Sequence, residues 1–193
     1  MTDEQSIPGL HQVLSPGLLV ASPQMEDPFF AKTVVLLCRH EDDGAMGIVI
    51  NRETDLELQT VLTEVAFELG NAADRSVMWG GPVEPHRGTI VFRPLMPQDD
   101  EFLEITRSIR VSGSMDVLQG LIETHVDEDW FLSLGYAGWG PGQLDKEIQE
   151  GSWIVLPVDP DTVFDQPIDE RYDACIAQLG IDANLIFMTP IDE

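Results

Sequence analysis

Apolar residues in this chain come in short bursts, each closed off by glycine, proline or acidic residues. The longest unbroken burst, Val34–Cys38, spans five positions. Bursts of this size match strands of about four to eight residues, and a bilayer-crossing helix needs about 20 consecutive apolar residues. The reading is therefore a chain of short strands and short helices with no transmembrane span. Strands are expected at Gly17–Ser22, Thr33–His40, Ala45–Arg52, Ser76–Trp79, Thr89–Pro94, Ile105–Val111, Trp130–Tyr136, Ser152–Val158 and Leu185–Met188. The second and third are joined by the polar, Gly-containing connection Glu41–Gly44, a hairpin signal.

Helical spacing shows in fewer places. Leu56, Val61, Leu62, Val65 and Leu69 predict an amphipathic helix over Asp55–Leu69, stopped by Gly70. Ser112 or Ser114 can cap a second, with Asp116 in its first turn and Val117, Leu118, Leu121 and Ile122 facing inward. A short third helix is expected over Gln143–Glu150. Asp169 is expected to cap a fourth, with Tyr172, Cys175, Ile176 and Leu179 on one face. Pro23–Lys32 and Gly80–Gly88 read as turns, and Leu95–Glu104 as a polar loop. Hairpins come early and strand–helix–strand units later, so the fold class is α+β, with a mixed, largely antiparallel sheet and about four helices. No repeat or linker divides the 193 residues, a length suited to one domain over 1–193, with 1–15 a loose N-terminal arm.

Charge excludes more than it assigns. Thirty-five acidic residues against ten basic ones give a net charge of −25, and between Val111 and Glu170 the single basic side chain is Lys146. Proteins that grip duplex nucleic acid neutralise roughly 6–10 phosphates with Lys and Arg. Here the few cations are scattered without a basic stripe, which argues against direct nucleic-acid binding and against docking on an anionic membrane. The plain reading of the acidity is a solvated, self-repelling surface. The Lys-poor, Asp-rich balance (2 Lys, 19 Asp) is also the one expected of a salt-adapted organism. The opening MTDEQSIPGL has neither a basic n-region nor an apolar h-region, so a cytoplasmic location is expected.

Motif-defined chemistry is sparse. Two cysteines make no disulfide framework, and four separated histidines give no ligand spacing, so neither a metal nor a cofactor is expected. Cys38 and His40 lie two apart on an expected strand, with Cα atoms about 6.7 Å apart and side chains on the same face. An imidazole beside a thiol lowers its pKa and makes a nucleophile. The competing reading is a small buried hydrophobe with a polar residue at the strand end. Gly138-Trp139-Gly140-Pro141-Gly142 opens a helix, but Pro141 lacks an N–H and Asp145 and Glu147 oppose an anion, so a tight strand-to-helix turn is preferred. Gln143 and Glu147 share a helix face, either as a solvated row or as a polar cleft wall. Trp79 and Trp139 both precede Gly-rich exits, as core lids do.

Several of these stretches together resemble the AlgH/YqgE family, bacterial proteins of unsettled function. The matching residues are Gly17–Pro23, Asp27-Pro28 with Phe30, Thr33-Val34-Val35 into Cys38 and His40, and Gly44–Asn51. They continue through Gly80–Val83, Arg87-Gly88, Ser114 with Asp116-Val117-Leu118, Gly135–Trp139, Gly142–Leu144, Glu147-Ile148 and Trp153. The resemblance implies a bifurcated sheet curled into a pseudo-barrel with helices packed outside. It carries no catalytic mechanism. Some members have been labelled transcriptional regulators, but this chain has no helix-turn-helix signature and the wrong charge for direct DNA contact. Cys175 and the extreme acidity fall outside the family pattern.

The favoured expectation is a binding or indirect regulatory protein, with a small-molecule or protein partner. Its cleft would lie near the Gly-rich turns and use Asn51, Gly80, Gly81, Pro82, Arg87, Trp139, Gln143 and Glu147. The alternative is an enzyme using Cys38 with His40, or Glu147. A direct DNA-binding regulator comes last.

Overall fold

The computed structural model describes residues 16–62, 72, 74–94, 102–123 and 129–180. Its strands are β1 (Gly17–Ala21), β2 (Val34–Glu41), β3 (Gly44–Val49), β4 (Glu53–Glu57), β5 (Ser76–Trp79), β6 (Val83–Phe92), β7 (Leu103–Thr106), β8 (Ile109–Ser112), β9 (Trp130–Trp139) and β10 (Trp153–Leu156). The helices are α1 (Leu58–Val61), α2 (Met115–Glu123), α3 (Gln143–Gln149), α4 (Pro160–Phe164) and α5 (Arg171–Gln178). The strands form one ten-stranded sheet in the order β10-β1-β2-β3-β9-β6-β8-β7, open at both ends, with β4 and β5 branching from β9. All pairs are antiparallel except β5 with β9. The expected α+β class and the bifurcation are both present.

Burial explains the apolar bursts. β1 and the stretch Val34–Leu37 of β2 are fully covered, as strands flanked by other strands and by helices must be. One core cluster joins these strands to α5 through Tyr172, Cys175 and Ile176. A second lies under α2, where Val117, Leu118, Leu121 and Ile122 are buried as the spacing predicts.

The fork at β9 positions everything that follows. β5 occupies one edge of β9 at Ser133 and Leu134, and β3 takes up the same edge from Ala137 to Trp139. β6 runs along the opposite edge. The chain must therefore step over β9 between β5 and β6, and it does so at Gly80-Gly81 against the backbone of Gly135 and Tyr136. A Cβ on Gly80 would lie 2.3 Å from the Gly135 carbonyl oxygen, and one on Gly81 2.2 Å from the Tyr136 carbonyl carbon. Two backbones in contact leave no room for side chains, and Gly81 has φ +148°, a region that disfavours other residues.

Several local expectations are corrected. Asp55–Leu69 is not helical from its start: Glu53–Glu57 is strand β4, α1 begins at Leu58, and 63–69 fall outside the described residues. Pairing to β5, with the Thr54 hydroxyl donating to the Val77 carbonyl at 2.8 Å, overrides the helical spacing of Leu56, which is exposed. Gly80–Gly88 is not all turn. β6 starts at Val83, and an irregularity between Val83 and Gly88 sets Glu84–Arg87 opposite Gly135 alone before pairing resumes. Ile105–Val111 is not one strand but the hairpin β7–β8, turning at Arg107-Ser108, where Ser108 N–H donates to the Thr106 hydroxyl at 3.2 Å. Asp169 does not cap α5, because the Pro167 carbonyl accepts from the N–H groups of Glu170 and Arg171. An unexpected helix, α4, follows Asp159, whose carboxylate caps it at the N–H groups of Asp161 and Thr162, with Pro160 in the first turn. Leu185–Met188 and the arm 1–15 lie outside the described residues.

Candidate functional site

Cys38 sits at the bulge where β2 slips against β3, between Leu37 and Arg39. Its Sγ donates to the Leu36 carbonyl at 3.4 Å, and burial pushes the thiol up to about 12. An activating imidazolium would move it down. His40 is buried with Nε2 3.3 Å from an Asp145 carboxylate oxygen of α3, tying the end of β2 to that helix. Cys175, fully buried on α5, is raised to about 11, again chiefly by burial. Both thiols are therefore protonated at neutral pH. In a Cys175→Ser background, Cys38 is expected to react with a disulfide probe only as fast as the fold opens, and His40→Ala should not slow it. Rapid labelling at neutral pH that His40→Ala abolishes would restore the nucleophile.

Glu147 is committed to a clasp. The indole N–H groups of Trp139 and Trp153 both donate to its Oε2, at 2.9 and 2.8 Å, and the Gln143 amide donates to Oε1 at 2.8 Å. The Gln143 carbonyl oxygen in turn accepts the Gly140 N–H at 3.0 Å, closing the Gly140–Gly142 turn. One carboxylate thus binds the end of β9, α3 and the start of β10. Phe30 packs beside it, its ring 5.6 Å from Trp153 and 6.4 Å from Trp139. Asn51 is a second clasp: it accepts the Val34 N–H at 2.7 Å and donates to the Lys32 carbonyl at 2.9 Å. Beside it Arg52 donates to the carbonyls of Phe29 and Ala31, and its guanidinium stands 5.3 Å from the Trp79 ring centre. These two residues hold the turn Asp27–Lys32 in place, a role that Arg52 carries without any motif to announce it.

The remaining candidates do converge. Gly80 and Gly81 lie against Gly135–Ala137, one or two residues from Gly138-Trp139. Two depressions open there. One, about 640 Å³, runs past Arg87, Thr89, Leu103, Val111 and the Ser112–Ser114 approach to α2. The other, about 590 Å³, is lined by Arg39, Asp43, Val83, Gly138 and Trp139. Met46 and Tyr136 line both, so the two depressions adjoin at these side chains and make up the groove beside Tyr136. The Arg87 guanidinium lies 5.7 Å from that ring and pairs with Glu84 at 2.9 Å. Of the residues expected to line the cleft, Arg87 and Trp139 do, whereas Asn51, Gly80, Gly81, Pro82, Gln143 and Glu147 line neither depression. Tyr136, which lines both, stood in the sequence as part of the Gly135–Trp139 stretch of the family resemblance, and Arg39, which lines one, carried no signal.

A forked α+β sheet bearing a groove at the fork defines the class of protein. A family model described as "DUF179: AlgH-like" matches residues 18–184. The UPF0301 protein of Chromobacterium violaceum is 40% identical over 175 residues, covering 90% of this chain and 94% of the relative. The UPF0301 protein of Thioalkalivibrio sulfidiphilus is 40% identical over 169 residues, covering 87% and 90%. The solution structure of the AlgH protein from Pseudomonas aeruginosa is similar at TM-score 0.75 and 36% identity, covering 98% of this chain and 100% of that one. A Corynebacterium diphtheriae protein shares the fold at TM-score 0.71 and 22% identity, covering 89% and 90%. The chain belongs to the AlgH-like UPF0301 family. Among the described residues no helix is long and apolar enough to cross a membrane.

Proposed function

We propose that this protein is a cytoplasmic binding protein that takes an elongated, partly apolar ligand in the groove over Tyr136. The observation that carries the reading is that the two depressions meet at Met46 and Tyr136, which line both. Apolar walls from Met46, Val83, Leu103 and Val111, with one arginine in each depression (Arg87 and Arg39), suit a partly apolar ligand with polar or anionic groups. Binding is favoured over catalysis because the chemically capable candidates are engaged elsewhere: Cys38 is held protonated, and Glu147 receives three donors. A regulatory role would then run through the bound ligand or partner rather than through DNA, consistent with the net charge of −25.

A thermal-shift screen of small molecules and short peptides tests this, since a binder of the folded state raises the melting temperature. Hits are expected to lose most of their shift in Tyr136→Ala, while the melting temperature of the unliganded variant stays close to that of the parent protein. Hits that stabilise Tyr136→Ala as well as the parent would place binding elsewhere and overturn the groove.

A further inference from the structure

On another part of the molecule, sharing no lining residue with the groove, a pocket of about 620 Å³ opens between β4, β5, the start of β9, the end of α4 and the start of α5. Its polar walls include Glu53, Arg75 and Arg171, and its apolar floor includes Trp130, Phe131 and Phe164. Arg171 is the unusual group. It is 4% exposed, the only buried arginine among the described residues. Its Nε donates to the Gln166 carbonyl at 3.0 Å and its Nη1 to the Ile50 carbonyl, which leaves Nη2 without a hydrogen bond among the described residues.

Arg39, Arg87, Arg93 and Arg110 each have a carboxylate within 4.0 Å. Arg171 has none among the described residues, although Glu53 and Asp165 both act on its charge from farther away. A buried cation without a paired anion is costly to hold, and burial draws its pKa down to about 10, so it stays charged at neutral pH. Asp165 cannot serve as its partner, being gripped by Arg93 through bonds of 3.0 and 2.7 Å. Glu53 is exposed on the pocket wall and holds no ion pair among the described residues. The Arg75 guanidinium lies over Trp130, 4.1 Å from its ring centre, with Nη2 donating to the Trp130 carbonyl at 2.6 Å.

We propose that this pocket binds a small zwitterion of the α-amino-acid class with an apolar side chain: carboxylate on Arg171, ammonium at Glu53, side chain on the Phe131–Phe164 floor. The carboxylate supplies the anion that buried Arg171 lacks, and the charge-assisted bond gains strength from the low-dielectric setting. A zwitterion also carries no net charge, so the protein's own −25 does not repel it as it would a free dicarboxylate or phosphate. The pocket volume falls within the range of about 300–1,000 Å³ usual for small-molecule sites.

The test is NMR titration of the whole chain with L-phenylalanine, L-leucine and L-methionine at millimolar concentration, followed at the Trp130 indole and the Ser76 amide. At least one is expected to move both signals. For L-phenylalanine, the amide analogue (no carboxylate) and 3-phenylpropionate (no ammonium) should each bind at least about tenfold more weakly. Glu53→Gln, an exposed change, should weaken the amino acid about tenfold and not weaken 3-phenylpropionate, whose carboxylate it no longer repels. Unmoved signals with all three amino acids would overturn the assignment. So would equal binding of the three phenyl probes, or a Glu53→Gln protein that binds like the parent. None of these outcomes bears on the groove over Tyr136, whose residues lie outside this pocket.

Discussion

Gly81→Ala is expected to destabilise the fold by more than about 4 kcal/mol, enough to consume much of the margin of about 5–15 kcal/mol that a domain of this kind has. The methyl group would sit 2.2 Å from the Tyr136 carbonyl carbon and 2.3 Å from its oxygen, with the backbone already at φ +148°. Backbone cannot swing aside as a flexible side chain can, so relief requires pulling β6 or β5 off β9. Gly120→Ala is the matched control. Gly120 lies in α2, nothing lies within 4 Å of its new methyl, and a gain of about 0.5–1 kcal/mol is expected from helix propensity. Urea midpoints compare the two directly. A Gly81→Ala protein with an unchanged midpoint would mean that the chain does not cross β9 at that point.

The second large effect is at Glu147. Glu147→Leu removes the acceptor of two indole N–H groups and one amide, and is expected to cost about 3 kcal/mol, because stranded donors lose both water and partner. Glu147→Gln keeps one acceptor oxygen and should cost about 1 kcal/mol. The Trp139 and Trp153 rings meet edge to face at 5.8 Å, so loss of the clasp should also show as a red shift and broadening of tryptophan emission. Equal stability of Glu147→Leu and the parent protein would remove the clasp from the account of how β9, α3 and β10 are joined.

What the sequence made legible was whatever burial writes as periodicity. α2 was readable because its four inward residues recur at helical spacing over one apolar cluster. β1 to β3 were readable as apolar runs parted by a polar hairpin. β4 was not, since its residues are mostly exposed and it owes its existence to β5, about twenty residues on. The β6 bulge and the Arg107-Ser108 turn are also long-range in origin, because only the partner strand defines a register to depart from. Asp159-Pro160 was a legible cap and first turn that the apolar pattern alone did not bring out. For the site, close backbone approach has a residue signature, and Gly80 and Gly81 lie against Gly135–Ala137. Glu147 is a polar residue whose inward direction depends on two tryptophans from separate strands, while Gln143 stays exposed beside it. Arg171 looked like any arginine at the start of a helix. Its burial is set by Ile50 and Gln166, and nothing local encodes that.

The pairing of β1 with β10 bears on synthesis as well as on the finished fold. β1 is among the first described segments to leave the ribosome, yet one of its two edges is filled by Trp153–Leu156. At about 5–20 residues per second, the nascent chain waits on the order of ten seconds with Leu18–Val20 bonded to β2 on one side and bare on the other. During that interval the segment is an apolar strand edge open to any extended polypeptide nearby. A chain ending before β10 never leaves that state, so its hazard is intermolecular pairing rather than simple loss of a strand.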